Sequence, residues 1–393
     1  MPSPKIVCFT LALIWPGFSH ATPALPGVGA AIQAAVDTGE AAGAVTVVVT
    51  KDSVIDAEAG GFADLATRKP MQTDNLFWIA SMTKPVTAVA VLMLQDEGKL
   101  DLTAPISRYL PDFAALKTPS GRPAQLTLTH LLTHTSGLGE APAAAALQAH
   151  TLVDLTPLIV AAPMQFEPGA RWKYCQAGIN TAARIVEVAS GMPFDAFVRR
   201  RILEPLGMKD TTFRRTADVA VRLATAYAKN KATSKLEPVP PRADIGLPDD
   251  PPFGNSGLYS TGPDYARFCQ MLLGGGVFKG RRLLSPAAFK QLTTIQTGSL
   301  ETGFLQSARD GARGANYGWG IGVCILRQPH PGVAAMLSPG TFGHGGAWGT
   351  QAWIDPVRGV AYVLMVQRTN HPNGDNSELR RAFQEAASRA LTN

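Results

Sequence analysis

The pattern of apolar and polar positions changes period several times along the chain. Residues 27–43, GVGAAIQAAVDTGEAAG, carry apolar and small residues at helical spacing and predict a helix punctuated by glycine. Residues 44–64, AVTVVVTKDSVIDAEAGGFAD, switch to two β-rich runs around the polar triplet Lys51-Asp52-Ser53, which predicts a hairpin. The stretch NLFWIASMTKPVTAVAVLML, residues 75–94, is apolar almost throughout, and from Pro85 a helix is predicted that stops at Gly98. From about 100 to 300 the pattern gives helical patches joined by Pro and Gly loops. Near the end, YGWGIGVCIL (317–326), TFGHGGAWGTQAWIDP (341–356) and GVAYVLMVQ (359–367) read as strands, and 377–393 as a closing helix.

Strands at both ends with helices between predict an α+β fold. One sheet is built from both chain ends, a mostly helical part is inserted, and the halves meet across a cleft. The sheet-bearing part is expected at about 22–100 and 315–393, and the helical part at about 101–314. No internal repeat is visible. The proline-rich stretch EPVPPRADIGLPDDPPFG, 237–254, reads as a surface loop, with an active-site rim as the alternative.

Composition adds limits. With 393 residues, 46% hydrophobic and 17% charged, the chain has the make-up of an ordinary folded globule. Net charge is +6, but the basic residues are scattered, and the run Arg199-Arg200-Arg201 reads as a solvated helix face. No nucleic-acid module accompanies it. The opening residues resemble a secretory signal: Lys5, an apolar core from Ile6 to Phe18, and the cleavage site Ser19-His20-Ala21. An exported, periplasmic or secreted protein beginning near Thr22, residues 22–393, is therefore expected. Cys8 lies inside the apolar core and not at a cleavage boundary, so no stable membrane anchor is expected. Cys175, Cys269 and Cys324 then remain, enough for one disulfide at most, and are read as buried, inert thiols.

Candidate chemistry begins with Ser81 and Lys84. Three residues apart, they share a helix face and come within hydrogen-bond reach. Serine needs a base to take its proton, and lysine serves as one only when its pKa falls well below about 10.4. Apolar surroundings disfavour the ammonium, and a helix N-terminus favours both a neutral amine and an incipient alkoxide. S-x-x-K alone is a common accident; the flanks LFWIA and VTAVAVLML are not. Tyr174, after a Pro-Gly turn and just before a predicted helix, is placed to offer a phenol to a cleft. Other chemistries find less support. His130 and His134 have a spacing that suits zinc, but the Glu of H-E-x-x-H is absent because position 131 is Leu, and both are read as structural. There is no G-x-S-x-G elbow, Walker loop or G-x-G-x-x-G, and neither a metal nor an organic cofactor is expected.

Ser81-Met82-Thr83-Lys84, LTLTHLLTHTSGL (126–138), the Tyr174 segment, GNSGLYSTGPDYARFCQML (254–272) and GHGGAWGTQAWIDP (343–356) follow one another in the order of a known superfamily. The chain resembles the β-lactamase-related serine hydrolases, which include class C β-lactamases, D,D-peptidases and family VIII carboxylesterases, over about residues 25–390. The resemblance implies a β-lactamase/transpeptidase-like fold with an antiparallel sheet. It also implies that Ser81 is the acylated nucleophile, Lys84 its base, and Tyr174 the partner in proton transfer to leaving group and water. The backbone N–H groups of Ser81 and Ala347 would form the oxyanion hole, with Gln176, His344, Gly345, Gly346 and Trp348 facing substrate. Two departures bear on substrate: Gln176 stands where Asn is usual, and His344-Gly345 where relatives carry Lys-Thr. The longer Gln176 changes the reach of that amide, while His344-Gly345 weakens recognition of an anionic β-lactam and favours small neutral esters or amides. A D,D-peptidase or weak β-lactamase is the nearest alternative. A silent peptidoglycan-binding module is the alternative of another class, and its usual trace, loss of Ser, Lys or Tyr, is absent here.

Overall fold

The computed structural model describes residues 25–239, 252–302, 313–329, 335–369 and 377–392. The expected signal segment, 1–21, and residues 240–251 of the proline-rich stretch lie outside them.

The first hairpin forms as its alternation predicts, with β1 at Gly43–Val49 and β2 at Val54–Asp64, followed by a short β3 at Lys69–Pro70. The C-terminal runs supply five more strands: β4 Tyr317–Trp319, β5 Cys324–Leu326, β6 Phe342–Gly345, β7 Gln351–Asp355 and β8 Val360–Met365. They assemble into one eight-stranded sheet in the order β4-β5-β6-β7-β8-β1-β2-β3. Every neighbour is antiparallel, and β1 joins the two chain ends by pairing Val47 with Val363. The runs at 317–326 and 341–356 each break into two strands because glycine-rich turns interrupt them; Gly349, at φ +91°, turns the second.

Side chains of β1 alternate between two cores, as a period of two requires. Val45, Val47 and Val49 enter the main core, whereas Ala44 and Val48 face a second one. The second core is closed by two helices from opposite chain ends, α1 (Val28–Asp37) and α6 (Glu378–Ala390), through Val28, Ile32, Leu379 and Phe383. On the other face lie α2 (Thr83–Asp96), α3 (Leu128–Leu132), α4 (Gln176–Ser190) and α5 (Gly262–Leu273). From Thr83 to Leu94 every residue of α2 is buried, the expected condition of a helix apolar all round. Its position in the centre of the molecule puts Lys84 in the interior.

Candidate active site

Ser81 lies not on α2 but in the 3₁₀ turn Ala80–Met82 that precedes it. Positions three apart eclipse one another in a 3₁₀ turn, which brings Ser81 over Lys84 at the start of α2. Pro85 is tolerated there because the first turn of a helix needs no backbone donor. Ala80 holds a left-handed φ of +46°, unusual for a residue with a Cβ and an instance of strain beside a reactive group.

The geometry around the Ser81 hydroxyl is compact. Lys84 Nζ lies 2.9 Å from Ser81 Oγ and donates to the Asn255 carbonyl at 2.8 Å. The Tyr174 hydroxyl donates to the same Oγ at 2.9 Å, and the amine sits 4.6 Å from the tyrosine ring centre. Lys84 is fully buried, and desolvation drives its pKa well below the ordinary value; Glu140 and Cys175 oppose this without reversing it. A buried amine bonded to a hydroxyl and a carbonyl is best held neutral.

Asn255 owes its place to a short pairing in which Phe77 and Trp78 lie antiparallel to Ser260 and Tyr259, extended by a bond from Ile79 N–H to the Leu258 carbonyl. Thr87 Oγ1 donates to the Gly254 carbonyl at 2.6 Å, and Leu258 N–H donates to Thr83 Oγ1 at 3.1 Å. The 254–260 segment is thus sewn along α2. From the other side, Asn255 N–H donates to Asn180 Oδ1 and its side-chain amide donates to Gln176 Oε1, at 3.1 and 2.9 Å, so α4 fixes the carbonyl that orients the amine. Gln176 is half-buried at the start of α4. Glu140 caps that helix, accepting from the Gln176 and Ala177 N–H groups at 2.6 and 2.9 Å, a favourable place for an anion.

The end of β6 forms the opposite wall. Gly346 approaches Ile79 so closely that a Cβ there would stand 2.6 Å from the Ile79 carbonyl oxygen and 2.1 Å from Thr350 Oγ1, so only glycine fits. Among the described residues the N–H groups of Ser81 and Ala347 donate to no protein acceptor. Trp348, 9% exposed, packs edge-on against Trp78 with ring centres 4.8 Å apart. His344 is buried, and its Nδ1–H donates to the Gly345 carbonyl at 2.6 Å, which leaves Nε2 as a bare acceptor. Burial, then the neighbouring Lys84, holds its pKa down to about 3, so the imidazole is neutral. His134, Trp319 and His344 each bury a ring nitrogen without a protein partner, and all three rings pack within 6.4 Å of the Tyr174 ring.

Hydrogen bonds and ring contacts thus connect Ser81, Lys84, Tyr174, Gln176, His344 and Gly345 in one site, with Gly346 against Ile79 and Trp348 against Trp78 beside the Ser81 turn. Asn255, Glu140 and His134 also belong to it and are not singled out by sequence as site residues; the 254–272 motif is the one signal pointing at Asn255. The helical spacing of His130 and His134 does not survive, because α3 ends at Leu132. His130 closes a capping box with Thr127, whereas His134 leaves the helix with φ +62°. Cys175 caps α4 by accepting from Gly178 N–H, and burial pushes its thiol up to about 12, which makes it inert as a nucleophile at neutral pH.

The family profile described as "Beta-lactamase" matches residues 28–387. Protein Rv1367c of Mycobacterium tuberculosis is 33% identical over 373 residues, spanning 87% of this chain and 90% of that protein. Esterase EstB of Burkholderia gladioli is 29% identical over 357 residues, spanning 82% and 85%. Among solved structures, EstCE1, a hydrolase with promiscuous acyltransferase activity, superposes with a TM-score of 0.75 at 24% identity, covering 92% of this chain and 97% of its own.

Proposed function

Because the chain belongs to the beta-lactamase family of serine hydrolases, we propose that it is a carboxylesterase acting on small neutral esters through an acyl-enzyme on Ser81. One observation carries this reading: Ser81 Oγ meets both Lys84 Nζ and the Tyr174 hydroxyl at 2.9 Å, with the amine fully buried. One N–H of the neutral amine is committed to the Asn255 carbonyl, and its lone pair receives the serine proton as Oγ attacks the ester carbon. The oxyanion that forms is met by the N–H groups of Ser81 and Ala347, each donor worth about 3–4 kcal/mol in the transition state. Collapse breaks the carbon–oxygen bond to the leaving alcohol, which takes its proton through Tyr174. Water then attacks the acyl carbon as Tyr174 and Lys84 take its proton; the bond from that carbon to Ser81 Oγ breaks, Oγ receives the proton, and the carboxylic acid leaves. Lys84 and Tyr174 act as a coupled pair, so their titration belongs to both.

The preference for esters rests on His344. A neutral imidazole with a bare acceptor nitrogen offers no charge to a β-lactam or peptide carboxylate, and Gly345 adds no hydroxyl. The esterase named among the relatives supports the same direction. A panel of short-chain nitrophenyl esters, a chromogenic cephalosporin and D-Ala-D-Ala peptides tests it. Ester cleavage is expected to dominate; fast cephalosporin turnover with negligible ester cleavage would establish a β-lactamase instead. Export belongs to the same proposal, on the signal-like residues 1–21. N-terminal sequencing of the exported protein is expected to start near Thr22; a chain retaining Lys5 would refute export through a cleaved signal.

A further inference from the structure

Tyr174 comes from an irregular stretch, 171–175, so neither helix nor ladder sets its direction. His134 lies directly against it. The His134 carbonyl accepts from Lys173 N–H at 2.9 Å, and His134 Nδ1 accepts from Cys175 N–H at 3.2 Å. The two bonds grip the peptide on either side of Tyr174. Between them the imidazole supports the phenol ring, with centres 4.4 Å apart and planes 38° from parallel. Resting on the reading that Tyr174 moves protons at Ser81, we propose that His134 is the positioning residue that holds Tyr174 on Ser81 Oγ.

The seam continues without side chains: Gly169 N–H donates to the Thr135 carbonyl at 2.8 Å and Gln165 N–H to the Gly137 carbonyl at 2.7 Å. Beside Tyr174 the seam uses the side chain of position 134, and its chemistry is restrictive. Nδ1 must be bare to accept, so Nε2 carries the hydrogen and the ring must stay neutral. Burial, with Lys84 and His344 nearby, lowers the His134 pKa well below the ordinary value and keeps it so. The backbone φ of +62° narrows the choice further, since His, Asn and Asp enter that region more readily than other residues with side chains. Position 134 therefore combines an acceptor, a flat ring and a left-handed turn.

His134→Asn keeps the turn and places an amide oxygen near where Nδ1 stands, but removes the ring. His134→Phe keeps a flat ring and removes the acceptor. Steady-state kinetics on a nitrophenyl acetate, with thermal melting to verify folding, separate the roles. His134→Phe is expected to lower kcat roughly 30- to 100-fold with KM within about threefold, the scale of a misplaced catalytic group. His134→Asn is expected to stay within about fivefold of the parent. In the Tyr174→Phe background, adding His134→Phe should change kcat by less than about threefold, because the two act as one unit. Full activity of His134→Phe overturns the proposal, and so does an undiminished loss when Tyr174 is already gone, since that marks a merely structural role. If His134→Phe does not fold, His134→Gly, which keeps the left-handed turn and removes both acceptor and ring, takes its place: undiminished kcat there overturns the proposal. Should Tyr174→Phe itself leave kcat unchanged in a protein that hydrolyses the ester, the reading of Tyr174 falls first and takes this one with it.

Discussion

Lys84 combines full burial with bonds to a hydroxyl and a carbonyl, and the pH dependence of the reaction should show it. Protonation removes the base, so kcat/KM falls as pH drops through the apparent value of the Lys84–Tyr174 pair. His344, held down to about 3, is neutral on both sides of that fall. His344→Gln is therefore expected to leave the acid limb of the pH profile in place, and disappearance of the limb would make His344 the titrating group. Gly346→Ala tests the opposite wall: its Cβ would press on Ile79 and Thr350, moving the Ala347 N–H, and kcat should fall roughly 10- to 100-fold. Unchanged kcat would remove this edge from the oxyanion hole. Ser81 and Lys84 are legible in sequence because they stand three apart between apolar flanks, whereas Tyr174 is legible only through the motif it shares with the superfamily. Asn255 acts through its carbonyl, which every residue has, so no letter marks it. His134 reads as a helical partner of His130 because the turn that separates them is imposed by the 165–175 seam, far away in sequence.

Among elements, α4 links the site to the fold. Its first turn carries Gln176, its second Asn180, and its N-terminus binds Glu140. Negative charge on Glu140 favours the Lys84 ammonium. Glu140→Gln is accordingly expected to move the acid limb of kcat/KM to lower pH, and to cost about 0.3–1 kcal/mol through the lost helix-terminus interaction. A pH titration of kcat/KM measures the first effect, and a limb displaced upward would contradict it. The strand pattern at both chain ends is legible in sequence because alternation on β1 and β8 serves two cores at once. The start of α2 is less so: the apolar pattern places Ser81 at its mouth, while the 3₁₀ turn arises from the pairing of 77–78 with 259–260, which no local pattern records.

At the scale of the whole molecule, contacts distant in sequence hold the two chain ends and the middle together. Glu40 bonds Lys229 at 2.5 Å and also Arg368, joining the loop after α1 to two later strands. Burial raises its pKa, but the bonds to Lys229 and Arg368 outweigh burial and bring it to about 2. Its contribution is present above the unfolded carboxylate's range and is lost as pH falls from about 4.5 through about 2. With the carboxylate one-third exposed, solvent screening reduces this to about 1–2 kcal/mol. Glu40→Gln should therefore lower Tm at pH 7 and lose that difference near pH 2; an equal difference at both would refute the clamp. Behind the sheet, Phe383→Ala should cost about 3–5 kcal/mol by opening a cavity while leaving KM unchanged, since that core lies across the sheet from the cleft. Thermal melting and ester kinetics check the pair of effects. The central claim is that the hydroxyl of Ser81, activated by a neutral Lys84, becomes the acyl carrier. Intact-protein mass spectrometry with peptide mapping, after a fluorophosphonate pulse, tests it most directly. The account predicts one adduct, on the peptide containing Ser81, lost in Ser81→Ala and formed at least a hundredfold more slowly in Lys84→Ala. An unmodified parent protein, or an adduct that persists in Ser81→Ala, would contradict it.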